Sequence, residues 1–236
     1  MSEVSGGAYD VTVAPLVTAY GFAGKDREAK VNVDSILEFV GIDKLSISQG
    51  RLSKADARVQ IDFNSIAKGY VVDMAAEALE QLGVEDYLVD IGGEVRCRGV
   101  NPKGSAWRVG VETPFDGNDT PGAFIEQVIS LSNCSMATSG NYRRYYLDAE
   151  GRKVAHTIDP RTGQSAVTNM LSATVIAKDC TTADAYATAF MVMGLEKAIK
   201  FCEEHPELNA YFICAGKGDE YEIHYTPAME RLIVKK

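Results

Sequence analysis

The sequence lacks most of what would mark it for nucleic acid, a membrane or a disulfide scaffold. Basic residues are outnumbered, with 24 Lys and Arg against 33 Asp and Glu and a formal charge of 24 − 33 = −9. Broad nucleic-acid binding needs a cationic surface that releases phosphate counterions, so this balance argues against it. It argues equally against docking on an anionic bilayer. No apolar run approaches the roughly 20 residues that span a membrane. The start, MSEVSGGAYD, has no basic region, apolar stretch or cleavage site. It therefore does not read as a signal peptide, but as a trimmed chain behind an added Met1. The five cysteines (Cys97, Cys134, Cys180, Cys202 and Cys214) are odd in number and none has CxxC spacing. They read as buried small hydrophobes, neither a disulfide framework nor a structural zinc site. Repeats, low-complexity tracts and linker-like stretches are also missing.

What is present fits a folded chain. A hydrophobic content of 46% over 236 residues suffices for a core without staples. Residues 34–40 predict a short helix capped near Asp34 and stopped by Gly41. Residues 44–49 and 58–63 predict strands with the Gly50 region between them. A helix is expected over 66–82, ending at Gly83, and a strand at 87–91 broken by Gly92-Gly93. VRCRGV, WRVGVE and 124–132 read as strands, and RYYLDAEGRKVAHTI as a hairpin turning at Asp148–Gly151. LSATVIA is another strand. Helices are expected over 182–193 and from Leu195 to before Pro206, with AYFICAG, YEIHYT and RLIVKK as closing strands. The fold class is α+β: mixed, largely antiparallel sheets with packed helices. The organisation is one domain over 1–236, with room for two subdomains.

Four constellations carry chemistry. In TTADAYATA, Asp184 and Thr188 share one helix face. A carboxylate and a hydroxyl are hard oxygen ligands suited to Mg²⁺ or Ca²⁺, and small alanines around them would let a ligand approach. The same pair also fits a helix-start carboxylate with a threonine bonded to the preceding turn. In DFNSIAKGY, a strand delivers Asp62 to a helix starting near Ser65 or Ile66. Free N–H groups there favour an anion, Lys68 lies in the first turn, and Gly69 keeps the approach open. Asn64 or Ser65 equally fits a plain N-cap. In DIGGEVRCRG and TSGNYRRYY, Gly92-Gly93 permits close backbone approach, and Ser139-Gly140-Asn141 fits a turn or an anion nest. Arg96, Arg143 and Arg144 suit either phosphate or solvent. In HTIDPRTGQ, Asp159-Pro160 and Gly163 form a turn signal, and His156 before it is either structural or a general base.

Taken in order, GAYDVTVAPLV, DFNSIAKGYVVD, YLVDIGGEVRCRG, ATSGNYRRYY, HTIDPRTG and TTADAYATAFMVMG resemble the ApbE family of FAD:protein FMN transferases. The resemblance runs from about Gly7 to the C-terminal strands. It implies a Mg²⁺-dependent enzyme that splits FAD, joins FMN to a Thr or Ser of an acceptor flavoprotein and releases AMP. Related chemistries are hydrolysis of FAD to FMN and AMP, or flavin binding without catalysis. By the same resemblance, Asp184 and Thr188 by side chain and Ser65 by its carbonyl would hold the metal. Ala8, Tyr9, Asp10, Asp62, Lys68, Gly92, Gly93 and Ile158 would meet FAD. His156, with Asp184 as competitor, would be the base. Members of that family usually carry a longer N-terminal region with an export signal and often a lipid-anchored cysteine. Here the chain begins almost at GAYD, so it is expected to be the soluble core of an exported, membrane-anchored protein.

Overall fold

The computed structural model describes residues 1–24, 31–118, 120, 122–166, 168–218 and 220–235. In chain order the helices are α1 (Ala14–Ala19), α2 (Val33–Leu37), α3 (Ala67–Gln81), α4 (Cys180–Met193) and α5 (Leu195–Glu204). The strands are β1 (Leu45–Ser48), β2 (Arg51–Lys54), β3 (Tyr87–Ile91), β4 (Glu94–Arg98), β5 (Trp107–Glu112) and β6 (Ile125–Leu131). They continue with β7 (Cys134–Gly140), β8 (Tyr145–Leu147), β9 (Lys153–Ala155), β10 (Met170–Ala177), β11 (Asn209–Ala215) and β12 (Tyr221–Tyr225). Every pairing among these strands is antiparallel, so the α+β expectation holds. Two compact units result: Met1–Phe63 with Arg144–Val167, and Asn64–Arg143 with Thr168–Lys236.

In the second unit, six strands run in the order β12-β11-β10-β7-β4-β3. Alternation along them divides the core. Ala137, Ala173, Val175, Ala210 and Phe212 point to α4 and α5 and pack with Ala183, Ala187 and Phe190. Met136, Ile176, Tyr211 and Ile213 point the other way, onto the β5–β6 hairpin (Val111, Ile129, Leu131) and Met229. The sheet thus lies between a helical layer and a small second sheet, the usual way to bury both of its faces. The alanines of α4 serve this packing: Ala183 and Ala187 are fully buried in the core, so they do not open the helix to a ligand.

Helices α3 and α4 cap each other. Asp73 of α3 accepts the N–H groups of Cys180 (2.9 Å) and Thr181 (2.8 Å) and the Thr181 hydroxyl (2.6 Å), at the first turn of α4. Arg96 of β4 completes the set at 2.9 Å. In return, Asp184 of α4 accepts the N–H of Gly69 at the head of α3, at 3.0 Å. Each carboxylate answers orphan donors and a helix dipole that its own helix does not present to it.

The first unit is built of short elements. Asp10 organises its start: Oδ1 accepts the Thr12 N–H (2.8 Å) and hydroxyl (2.6 Å), and Oδ2 the Ile42 N–H (2.8 Å). Leu16, Val40 and Ile158 form its small core. The β8–β9 hairpin turns where expected.

Several expectations are corrected. Residues 58–63 form no strand, because β1 takes β2 as its partner through a tight turn at Gln49-Gly50, both with positive φ. The Asp62 N–H instead donates to the Val11 carbonyl at 2.7 Å. Helix α2 is capped by the Asn32 side chain, two residues before Asp34. RLIVKK makes a short 3-10 turn at Met229–Arg231 and one bridge, Ile233 to Ile129, with Lys236 outside the described residues. Ser139-Gly140 is no anion nest but the end of β7, a central strand. CSMATSG hides its strand character because small residues take the place of the usual branched apolar ones.

Replacing Asp73 by Asn should destabilise the protein by about 3 kcal/mol, as expected when one partner of a buried ion pair is removed. Burial pushes the Asp73 carboxyl up, but the Thr181 hydroxyl, the Cys180 and Thr181 N–H groups and Arg96 outweigh it and hold it below the ordinary 3.8. Its ionised form therefore stabilises the fold above about pH 4, and that contribution falls away as pH drops through the lowered folded value. Urea denaturation at pH 3 to 7 should show a constant difference between wild type and Asp73→Asn at pH 5 to 7 that narrows below pH 4.

Candidate functional site

Lys68, Gly92, Asp184 and Thr188, together with Ser65 and Gly93, belong to the second unit, whereas Ala8, Tyr9, Asp10, Asp62, His156 and Ile158 belong to the first. In the second unit the geometry gathers around the head of α3. The first residue of this helix is Ala67 and the cap position is Ile66, whose own side chain makes no cap. The cap comes from Asp184, nearly buried at 3% exposure. Gly69 makes this possible. A Cβ there would lie 2.4 Å from the Cys180 carbonyl oxygen and 2.9 Å from Asp184 Cβ. The glycine is thus required by helix-to-helix contact and not, as the sequence suggested, to leave room for a ligand.

Asp184 Oδ2 is taken by Gly69, and among the described residues Oδ1 accepts no hydrogen bond. Thr188 lies one turn on, its hydroxyl 3.0 Å from that of Ser139 on β7 rather than bonded to its own helix. Burial pushes the Asp184 carboxyl up to about 6, against the Gly69 N–H and the Lys68 charge. No group of three or more His, Cys, Asp or Glu is gathered for a metal among the described residues. The donors here are a carboxylate oxygen and a hydroxyl, a set that fits a hard cation completed by carbonyls and water.

Lys68 extends from the first turn of α3 and ion-pairs with Glu94 at the start of β4. Gly92, with φ +67, sits beside the pair: a Cβ there would be 3.6 Å from Lys68 Cδ and 3.8 Å from Glu94 Oε2. Glu94 is 1% exposed, and its Oε2 has no partner among the described residues. Burial pushes its carboxyl up to about 7; the Lys68 bond and charge pull it down, and Asp184 pushes it further up. Two acids and one lysine thus share a corner in which a bound cation would favour both ionised acids. Sequence reasoning missed Glu94 and Asp73. The signal for Glu94 was an acid directly after Gly92-Gly93, at the first position of a strand.

The three arginines considered for phosphate are committed elsewhere. Arg96 pairs with Asp73 and Glu80, Arg143 with Glu112, and Arg144 donates to the Phe22 carbonyl.

In the first unit, His156 is half-buried, with its Nδ1 3.2 Å from the Arg144 carbonyl and its ring edge-on to Phe22. A carbonyl only accepts, so in this contact Nδ1 is the donor. The Asp159-Pro160 turn closes as expected, with the Gly163 N–H on the Asp159 carbonyl at 2.8 Å. The Asp159 carboxylate holds the Arg161 side chain. Ala8, Tyr9 and Ile158 are buried, Ile158 against Leu16 and Val40.

With its antiparallel α+β fold and its acid–lysine corner, the chain belongs to the ApbE family, whose family model matches residues 1–212. It is 40% identical over 221 residues to the FAD:protein FMN transferase of Haemophilus influenzae, covering 90% of this chain and 62% of that protein. With the enzyme of the same name from Escherichia coli K12 the figures are 32% over 238 residues, 98% and 66%. Among solved structures, the apo flavinyl transferase ApbE of Pseudomonas stutzeri superposes with a TM-score of 0.84 at 35% identity, covering 98% of this chain and 71% of that one. The ApbE protein of Thermotoga maritima superposes at 0.85 and 28% identity, covering 99% and 74%. The chain thus spans a little under two thirds of the length of these sequence relatives. No helix among the described residues is long and apolar enough to cross a membrane.

A Gly69→Ala substitution should cost about 3 kcal/mol, at the upper end of overpacking penalties, because the obstructing atom is backbone. Thermal melts checked by circular dichroism should show the loss; an unchanged melting temperature would mean that α3 and α4 do not meet as described.

Proposed function

We propose that this chain is the catalytic core of a flavin transferase. It would take FMN from FAD and join it to a Thr or Ser hydroxyl of an acceptor flavoprotein, releasing AMP. The observation that carries this reading is the corner at the head of α3, where the half-exposed Lys68 side chain stands beside Asp184, whose Oδ1 accepts no bond from the described residues. In a chain of net charge −9, an anionic pyrophosphate needs positive charge, which Lys68 and a cation held at Asp184 would supply together. The names of the relatives support the same chemistry.

In this reading Asp184, Thr188 and the Ser65 carbonyl would hold Mg²⁺, whose chemistry would be to withdraw charge from the pyrophosphate oxygens. Lys68 binds the same phosphates. Gly92 and Gly93 give backbone access to the nucleotide, and Ala8, Tyr9, Asp10, Asp62 and Ile158 contribute the flavin-side contacts. Because the Asp10 carboxylate is already held by Thr12 and Ile42, its part is to shape that segment. His156 takes the acceptor's proton as its oxygen attacks the FMN phosphorus; the phosphorus–oxygen bond to AMP breaks, and AMP leaves with the bridging oxygen. His156 is favoured over Asp184 as base because Asp184 is tied to the Gly69 N–H and assigned to the cation. Export and lipid anchoring of the full-length protein belong to the same reading.

Incubation with FAD, Mg²⁺ and an acceptor flavoprotein should give covalent FMN on a Thr or Ser, seen as in-gel flavin fluorescence and by peptide mass. AMP without covalent flavin would replace transfer by hydrolysis, and neither product would leave flavin binding alone. Asp184→Ala should abolish Mg²⁺-dependent turnover and Mg²⁺ binding by calorimetry. His156→Ala should slow transfer by about 10²-fold or more, as loss of a general base does, while leaving FAD affinity within twofold.

A further inference from the structure

Glu94 poses a physical problem that the proposed reaction does not use. Its side chain is 2% exposed, yet it carries a carboxylate at the helix-facing side of β4. One oxygen takes Lys68; the other has no partner among the described residues. A buried acid held by a single bond is a poor stabilising element, and an apolar residue of similar volume would serve the core as well or better. Its neighbour two residues on, Arg96, shows what a structural ion pair in this layer looks like: Arg96 meets Asp73 and Glu80, and Asp73 is further held by three groups of α4. Glu94 has no such company. What it does have is the ammonium of Lys68, whose side chain stays 48% exposed on a flexible four-carbon stem.

We propose that Glu94 is a positioning residue: it anchors the Lys68 ammonium at the head of α3, so that the charge is placed before an anionic nucleotide arrives. This rests on the flavin-nucleotide reading for the identity of the anion, but not for the anchoring itself. Lys68 has three N–H donors. One is spent on Glu94, which leaves two for phosphate oxygens. Without the anchor the stem must be ordered during binding, at a cost in side-chain entropy.

Two measurements test the proposal separately. First, in the ligand-free protein, acetylation by a water-soluble N-hydroxysuccinimide ester is followed by peptide mass spectrometry. Lys68 should react about tenfold more slowly than exposed Lys103 and Lys178, and Glu94→Gln should raise its rate toward theirs. A wild-type Lys68 as reactive as Lys103 overturns the anchoring even if the variant fails to fold. Second, FAD binding is followed by flavin fluorescence. Glu94→Gln should weaken it about tenfold, and Glu94→Asp should recover part of the loss. In a Lys68→Ala background, Glu94→Gln should add nothing, because the two residues act as one unit. Independent, additive losses would reduce Glu94 to a structural residue. Wild-type protein that binds no FAD would instead defeat the nucleotide reading, while the acetylation result would stand.

Discussion

The second unit depends on a reciprocal exchange between two helices. Asp73 of α3 satisfies the first turn of α4, and Asp184 of α4 satisfies the head of α3. Both carboxylates are nearly buried, and both reach donors that the helix geometry leaves without internal partners. The exchange works only because Gly69 lets α3 approach the Cys180 carbonyl, where any Cβ would clash. The consequence reaches function directly. Asp184 is fixed in one orientation by a bond to one oxygen, and the other oxygen is left available on the face that also carries Thr188. A structural cap and a candidate cation ligand are the same side chain.

Charge is distributed unequally between the two carboxylate sites of this helix pair. At Asp73, hydrogen bonds and Arg96 outweigh burial and keep the acid ionised. At Asp184 and Glu94, burial wins, and both acids are raised toward neutrality despite the nearby Lys68. One site is thus electrostatically complete and reads as architecture. The other is short of positive charge. A site that handles a pyrophosphate with a divalent ion has this imbalance in the protein alone, since the ion brings the missing charge.

Much of the fold was legible before any coordinates. The helices over α3, α4 and α5 announced themselves by apolar spacing and by Gly83 and Gly194 past their ends; both glycines have positive φ. Strands with branched or aromatic residues, such as β10 and β11, were equally plain. The central strand β7 was not, because Ser135, Ala137 and Ser139 are small to suit the close packing of α4, and smallness is not a strand signal. RVQIDF was misread for the opposite reason: it has the composition of a strand, but β1 had a nearer partner in β2. Local pattern reports preference, and pairing is decided by competition among segments.

For the site, the sequence alone determined the residue types and their order. The pair Asp184 and Thr188 on one helix face followed from a spacing of four, and Lys68 near a helix start from the strand–helix corner; the family resemblance rests on six such segments. What only the tertiary structure decided is how those residues are used. It joined Glu94 to Lys68, 26 positions apart, and Asp184 to Gly69, 115 apart. It turned Gly69 from an open approach into a packing requirement and withdrew Arg96, Arg143 and Arg144 into ion pairs and a carbonyl contact. The physical reason is that hydrogen bonds and ion pairs act over a few ångströms in space, whereas spacing along the chain reports neighbours only within one helix or strand.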